Sequence, residues 1–302
     1  MRKFLLGLAV LAIVAAACAP EEDPAEPIDS GGTTEPAPVD AASCAADASL
    51  VNDGVLTVGT GNPAFPPWWE GGTTDANKDW EFNDPYLLQG FEGATVGAVA
   101  EQLGFSSDQI EFVPVPFGKS FAPGPKDFDL VVQQISYSDK RAQAVDFSES
   151  YYEVNQALVS VEGSAIEGAT TLDELKGAKL GAPLGTTSFD YVDQNIQPTE
   201  EPAVYNDLNG AVQALKNGQV DGIVVDLPTA FFVTAVQIPK GVIVGQFPTV
   251  GAQEYFAFAL EKDSAFTDCV NLALQAIKDD DTQSAIQQEW LSDKASAPVI
   301  EG

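Results

Sequence analysis

Histidine is absent from this 302-residue chain. The commonest general base and the commonest metal ligand are therefore missing, which excludes a Ser-His-Asp triad and any zinc site built on histidine. Arginine is nearly absent too, since it occurs only at Arg2 and Arg141. We predict no metal site, no cofactor and no catalytic residue.

Basic residues in general are scarce. Fourteen Lys and Arg stand against 45 Asp and Glu, which gives a formal net charge of −31. Nucleic-acid phosphates need basic patches, so a nucleic-acid partner is excluded. The same charge favours solubility and repels anionic membrane surfaces. The hydrophobic fraction of 45% is nevertheless enough to build a core, and the length suits two lobes of ordinary domain size.

Arg141 stands at the end of a distinctive stretch, residues 129–141, which begins as an apolar strand and ends in a polar turn. A guanidinium binds a carboxylate through two parallel hydrogen bonds and stays charged at ordinary pH. With Ser136 and Ser138 nearby, Arg141 is a candidate carboxylate-binding residue. A structural ion pair with Asp139 or Asp146 is the equal alternative.

The N-terminus has the features of an export signal. Residues 1–17 join a charged start to an apolar run that is too short for a membrane span. Residues 14–18 resemble a bacterial lipobox, which predicts that Cys18 is lipidated, although the small residues 15–17 also suit an ordinary secretory cleavage. Residues 18–43, rich in Pro and acidic residues, predict a disordered tether. We expect a protein lipid-anchored at the outer face of the cell membrane.

Two cysteines remain, Cys44 and Cys269. In an exported chain, two such cysteines usually pair, so we predict a Cys44–Cys269 disulfide. Two buried free thiols are the alternative. The bond would place both ends of the folded body in one lobe.

Strand and helix patterns alternate along the body, which predicts an α/β fold. Two alternating runs, residues 151–161 and 254–260, are candidates for strands that cross between lobes. Thr186 and Thr187 follow a short strand, where hydroxyls hold a carboxylate or simply cap the next helix. Asp226 ends a buried strand and is placed either to meet an ammonium group or to cap a helix.

The chain resembles the extracellular solute-binding proteins of polar amino acid ABC transporters, which have the type II periplasmic-binding-protein fold. The resemblance covers residues 51–295. Its strength lies in the order and spacing of many short stretches, which are residues 56–60, 65–68, 90–92, 141–148, 151–152, 172–177, 184–187, 211–215 and 220–226.

The resemblance implies two lobes that enclose an amino acid. The first would comprise residues 44–152 and 253–302, and the second residues 153–252. The resemblance also assigns roles to residues of the cleft. The α-carboxylate would be held by Arg141, Ser136, Thr186 and Thr187; the α-ammonium by Asp226 and the Gln134 carbonyl; and the side chain between Phe65 and Phe117.

Departures from the family pattern bear on the ligand. Gln133 and Gln134 replace the usual Ser-Gly or Ser-Ser, and residues 71–88 form a long insertion. Members that take Lys or Arg often carry an Asp after the first strand, where this chain has Gly61 and Asn62. A polar or neutral amino acid is therefore expected.

The resemblance predicts a monomeric receptor that passes its amino acid to ABC transporter permease subunits. One alternative is an enzyme on the same fold, of dehydratase or lyase type, which would need a carboxyl of raised pKa facing the cleft. Glu70 is the one candidate near the cleft. Another alternative is a binding protein for a different small carboxylate.

Overall fold

The structure is a computed structural model that describes residues 40–291 and 296–302. The predicted signal segment, Cys18 and all but the last residues of the predicted tether lie outside the described residues. The strands are β1 Leu56–Thr60, β2 Ile110–Pro114, β3 Leu130–Val131, β4 Val145–Glu153, β5 Gln156–Val161, β6 Leu180–Pro183, β7 Ala203–Tyr205, β8 Gly222–Asp226, β9 Gly241–Gln246 and β10 Tyr255–Glu261. The helices are α1 Ala41–Ala46, α2 Phe91–Gln102, α3 Phe117–Ser120, α4 Asp139–Ala142, α5 Leu172–Leu175, α6 Thr187–Tyr191, α7 Leu208–Lys216, α8 Leu227–Phe232, α9 Phe266–Asp279 and α10 Thr282–Leu291.

These strands form two five-stranded sheets, and we call the parts built around them the first and second lobe. The first sheet has the order β2-β1-β3-β10-β4, and the second has the order β7-β6-β8-β5-β9. In each sheet the first three strands are parallel and the fourth runs antiparallel to its neighbours. The predicted two-lobed α/β architecture is confirmed.

The core of the first lobe is rich in aromatic rings. Helices α2, α9 and α10 pack on one another beside the sheet, and Trp68, Phe91 and Phe256 meet edge to face among the buried residues. The chain can turn tightly before α2 because Gly90, at φ 87°, leaves no Cβ to strike the backbone of Trp68.

The second lobe has a mainly aliphatic core. Val, Leu and Ile side chains fill both faces of its sheet, with Leu158, Ile223 and Val224 fully buried at the centre. These near-continuous apolar strands are typical of sheets covered on both faces.

Two segments of the chain cross between the lobes. The first separates β4 from β5 at Val154 and Asn155, so the single strand expected over residues 151–161 is in fact two strands. The second crossing precedes β10. The two crossings are hydrogen-bonded to each other, because Val154 N donates to the Glu254 carbonyl at 3.0 Å.

The expected domain boundaries need two corrections. Residues 41–43 were expected in the tether but belong to α1, whose N-terminus is capped by the Asp40 carboxylate. The C-terminal residues were expected in the first lobe, yet Val299 pairs with Gln246 and Glu301 with Thr171 of the second lobe. Ile300 is buried in the core of the second lobe, and this apolar contact explains the placement.

A disulfide joins Cys44 on α1 to Cys269 on α9. It ties the start of the folded body to a helix near its end, within the first lobe, as the sequence predicted.

Candidate functional site

A cavity of about 570 Å³ lies between the two lobes. Its walls come from turns that follow the carboxyl ends of the parallel strands β1, β3, β6 and β8, where α/β sheets usually bind ligands. All eight residues predicted for the ligand site line it: Phe65, Phe117, Gln134, Ser136, Arg141, Thr186, Thr187 and Asp226.

Arg141 is held in place from both lobes. It is only 8% exposed, and its guanidinium donates to the Ser136 carbonyl at 2.5 Å and to the Gly185 carbonyl of the second lobe at 2.8 Å. The same group stacks over the ring of Phe121 at 4.3 Å. Two of its five N–H donors are thus used by backbone carbonyls, and the others remain for an anion.

No carboxylate is bound directly to Arg141 in the described residues, so the structural ion pair with Asp139 or Asp146 is wrong. Asp146 instead pairs with Lys262 at 2.7 Å, and Asp139 accepts a hydrogen bond from the Tyr137 hydroxyl.

Asp226 lies across the cleft from Arg141, at the end of β8. Its carboxylate accepts a hydrogen bond from Gln156 Nε2 at 2.9 Å. Burial raises the pKa of Asp226 to about 7, and the neighbouring Glu254 carboxylate acts in the same direction. An ammonium group beside Asp226 would stabilise the ionised form.

The two threonines differ in the use of their hydroxyls. Thr186 accepts from Phe189 N and donates to the Pro183 carbonyl, so its side chain caps α6. Thr187 instead lies 3.3 Å from the Ser136 hydroxyl of the first lobe. Two roles were open for this turn, carboxylate binding and helix capping. Thr186 caps the helix with its side chain, whereas the Thr187 hydroxyl contacts the first lobe across the cleft.

Gln134 adopts a left-handed backbone conformation, with φ 52°. The carboxylate of Glu92 holds it from behind, accepting from its backbone N at 2.7 Å and from its side-chain amide at 2.5 Å. Tyr151 also donates to Glu92, at 2.5 Å. Burial raises the pKa of Glu92 to about 7, against these hydrogen bonds.

The two crossing segments contribute a polar network beside the cavity. Glu254 accepts from the Ser136 hydroxyl at 2.6 Å and from Gln156 Nε2 at 3.1 Å, and Gln156 Oε1 accepts from the Ser188 hydroxyl at 2.6 Å. The network links both lobes through the two segments that cross between them. Sequence reasoning missed Glu92, Gln156 and Glu254, although Glu92 stands in one of the stretches that carry the resemblance.

Aromatic side chains close the other side of the cavity. Phe65, on the loop after β1, packs against Phe82 of the insertion and Phe232 of the second lobe. Phe117 packs against Phe121. The insertion, residues 71–88, thus supports the wall that Phe65 forms.

The residues described in the structure contain no group of three or more His, Cys, Asp or Glu placed to hold a metal ion. None of their helices combines the length and the apolar character needed to cross a membrane.

Comparison with known proteins identifies the family. Residues 71–293 match the bacterial extracellular solute-binding proteins, family 3. The arginine-binding extracellular protein ArtP of Bacillus subtilis is 27% identical over 73% of this chain and 85% of its own. The L-cystine-binding protein TcyJ of Escherichia coli is 29% identical over 68% and 76%. A solved structure of an ancestral arginine-binding protein bound to glutamine is 28% identical, with a TM-score of 0.63 over 79% of this chain and 98% of its own. This chain belongs to family 3 of the bacterial extracellular solute-binding proteins.

Proposed function

We propose that this chain captures a polar or neutral amino acid between its lobes and delivers it to the permease of an ABC transporter. The observation that carries the proposal is the charge pattern of the cavity. Arg141 and Asp226 line the same space, and together they complement the carboxylate and the ammonium of a zwitterion. The named relatives bind arginine and cystine, which supports an amino acid as the ligand class.

Binding would draw the lobes together, because hydrogen bonds already join the two lobes at and beside the cavity. These contacts are Arg141 to Gly185, Ser136 to Thr187 and Trp68 to Thr229. A ligand that touches both lobes favours the arrangement in which these contacts form.

Calorimetric titration with each L-amino acid tests the proposal. The purified chain, with its disulfide intact, is first unfolded and refolded to remove any bound ligand. We expect tight binding to one or a few polar or neutral amino acids. Absence of binding to all of them would overturn the proposal and lead to other small carboxylates.

The enzyme alternative has one observation in its favour. Asp226 faces the cavity and has a raised pKa, as a general acid requires, whereas Glu70 does not line the cavity. We nevertheless propose a binding protein without catalysis, because Asp226 and Arg141 suffice to hold a zwitterion. Unchanged NMR spectra of the bound amino acid after long incubation are expected, and a new product would contradict this view.

Anchoring and assembly complete the proposal. We expect Cys18 to carry a lipid and the segment that follows to hold a monomeric body away from the membrane. Mass spectrometry of the exported protein tests the first point, and light scattering tests the second.

A further inference from the structure

Gln134 lines the cavity in a backbone conformation that glutamine rarely adopts. Its φ of 52° lies in the left-handed region, where the Cβ of any residue other than glycine crowds the backbone. A residue stays in such a conformation only where its surroundings impose it. The contacts that impose it on Gln134 come from Glu92.

Glu92 holds two groups of Gln134 at once. One carboxylate oxygen accepts from the Gln134 backbone N at 2.7 Å, and the other accepts from the Gln134 side-chain amide. The angle φ describes rotation about the bond between that backbone nitrogen and Cα. A carboxylate that fixes both the N–H and the side chain therefore fixes φ itself.

Both donors point away from the ligand. Glu92 belongs to α2, is completely buried and does not line the cavity. The Gln134 carbonyl accepts from no backbone N–H among the residues that the structure describes. A carbonyl can only accept a hydrogen bond, whereas an ammonium group only donates, so the two are complementary.

The position of Asp226 connects this contact with the ammonium site. Asp226 lines the same cavity, and Glu92 is close enough to help raise the pKa of Asp226. Gln134, which is bonded to Glu92, therefore lies in the same part of the cavity as Asp226.

We infer that Glu92 is a positioning residue for the ammonium group of the ligand. It holds Gln134 in the left-handed conformation, so that the Gln134 carbonyl and the Asp226 carboxylate receive the ammonium group from the two lobes. This inference rests on the proposed function, because it requires an amino acid in the cavity.

The alternative role for Glu92 is support of the fold alone. Tyr151 of β4 also donates to Glu92, at 2.5 Å, so the carboxylate joins α2 to the strand that leads to the first crossing. The two roles predict different results when Gln134 itself is changed.

Replacement of Glu92 by glutamine is the first test. One end of the new side chain is a donor, so it cannot accept from both groups of Gln134. At pH 8 the wild-type carboxylate, whose pKa burial raises to about 7, is ionised. We expect Glu92→Gln to weaken the tightest binder among the twenty L-amino acids roughly tenfold in calorimetry at this pH.

Tyr151→Phe is the matched control, because it removes the third bond to Glu92 and leaves both bonds to Gln134. We expect it to weaken binding by less than about threefold. An equal loss in the two variants would overturn the inference.

A glycine substitution separates positioning from fold support. Glycine adopts positive φ without help, so in a Gln134→Gly background the Glu92→Gln substitution should weaken binding by less than about threefold. The same roughly tenfold loss in both backgrounds would show that Glu92 does not act through Gln134, and would overturn the inference.

The 2-hydroxy acid with the same side chain as the tightest amino acid checks the ligand group involved. Its hydroxyl replaces the ammonium group and forms a weaker, uncharged hydrogen bond. Glu92→Gln should therefore weaken the amino acid more than the 2-hydroxy acid, and equal weakening of both would contradict the inference.

A further pair of variants covers the case in which Glu92→Gln does not fold. Gln134→Ala keeps the unfavourable φ and loses the side-chain bond, whereas Gln134→Gly removes the strain. We expect the alanine variant to bind roughly fivefold more weakly than the glycine variant, and equal affinities would overturn the inference. Wild-type protein that binds no amino acid would instead refute the proposed function itself.

Discussion

The two lobes have the same sheet plan but different interiors. Each sheet has three parallel strands followed by an antiparallel strand, yet the first lobe is packed with aromatic rings and closed by a disulfide, while the second is filled with Val, Leu and Ile. The aromatic rings of the first lobe interlock edge to face, which favours one fixed packing arrangement.

The lobes also contribute different chemical groups to the cavity. The first lobe supplies Arg141, whose guanidinium lies over Phe117 and Phe121, and it supplies Gln133 and Gln134 after β3. The second lobe supplies Asp226 and the Thr187 turn. We conclude that the first lobe supplies the cationic group of the recognition surface and that the second supplies the anionic group from the other side of the cleft.

Among the changes that test this comparison of the two lobes, removal of the disulfide should have the largest effect. Its cysteines are 225 residues apart, and the chain-entropy view gives a loop of this size about 5 kcal/mol of stabilisation as an upper value. We expect the double substitution of Cys44 and Cys269 by serine to lower the free energy of unfolding by several kcal/mol, measured by urea denaturation.

Hydrogen exchange locates this effect. Protection should fall mainly in α1 and α9, with the second sheet changed least. Reduction of the wild-type protein is the matched control, since it breaks the same bond without substitution. Equal loss of protection in both sheets would contradict a stabilisation centred on the first lobe.

Replacement of Arg141 by lysine should have the next largest effect. A single ammonium cannot donate to both the Ser136 and Gly185 carbonyls and also donate two parallel hydrogen bonds to a carboxylate. We expect roughly a 100-fold loss of amino acid affinity in calorimetry, as for loss of a buried charged hydrogen bond. The control is Lys140→Ala, an exposed neighbour on α4, and a Lys variant that binds as tightly as wild type would remove Arg141 from the site.

The pH dependence should reveal the second lobe's carboxylate. The pKa of Asp226 rises from 3.8 to about 7 on folding, with Glu254, Glu92 and Arg141 as its charged neighbours. The folded protein therefore holds a proton between about pH 4 and 7 that the unfolded chain releases, so stability should fall as pH rises through this window. We expect a higher melting temperature at pH 5.5 than at pH 8 without ligand.

Ligand binding should instead favour high pH, because the ammonium group of the ligand stabilises the ionised form of Asp226. Affinity should therefore weaken as the pH falls below 7, and titrations in buffers of different ionisation enthalpy should show proton release on binding. Asp226→Asn should reduce the slope of the melting-temperature profile, and Glu92, whose pKa burial also raises to about 7, should account for the slope that remains. Identical profiles for this variant and wild type would show that another group, such as Glu92, controls the pH dependence.

Local sequence reasoning located the strand ends and the residues that follow them, because apolar runs and turn residues mark these points. It could not find Glu92 or Glu254, which act on residues 42 and 118 positions away in the chain. The placement of Ile300 was hidden for the same reason, since a short C-terminal segment pairs wherever an apolar side chain such as Ile300 finds a core. Thr186 and Thr187 look alike in sequence, and only their neighbours in space distinguish their uses.

The smallest effect should come from a single hydrogen bond that joins the lobes. Trp68 Nε1 of the first lobe donates to the Thr229 hydroxyl of the second at 3.2 Å. Thr229→Val keeps the shape and removes the acceptor, so the indole N–H is left unpaired when the lobes meet but can reach water when they separate. We expect roughly a fivefold loss of amino acid affinity with little change in melting temperature without ligand, and Thr229→Ser should restore the affinity. A loss of stability without a loss of affinity would mean that this bond supports the fold rather than the closure of the two lobes.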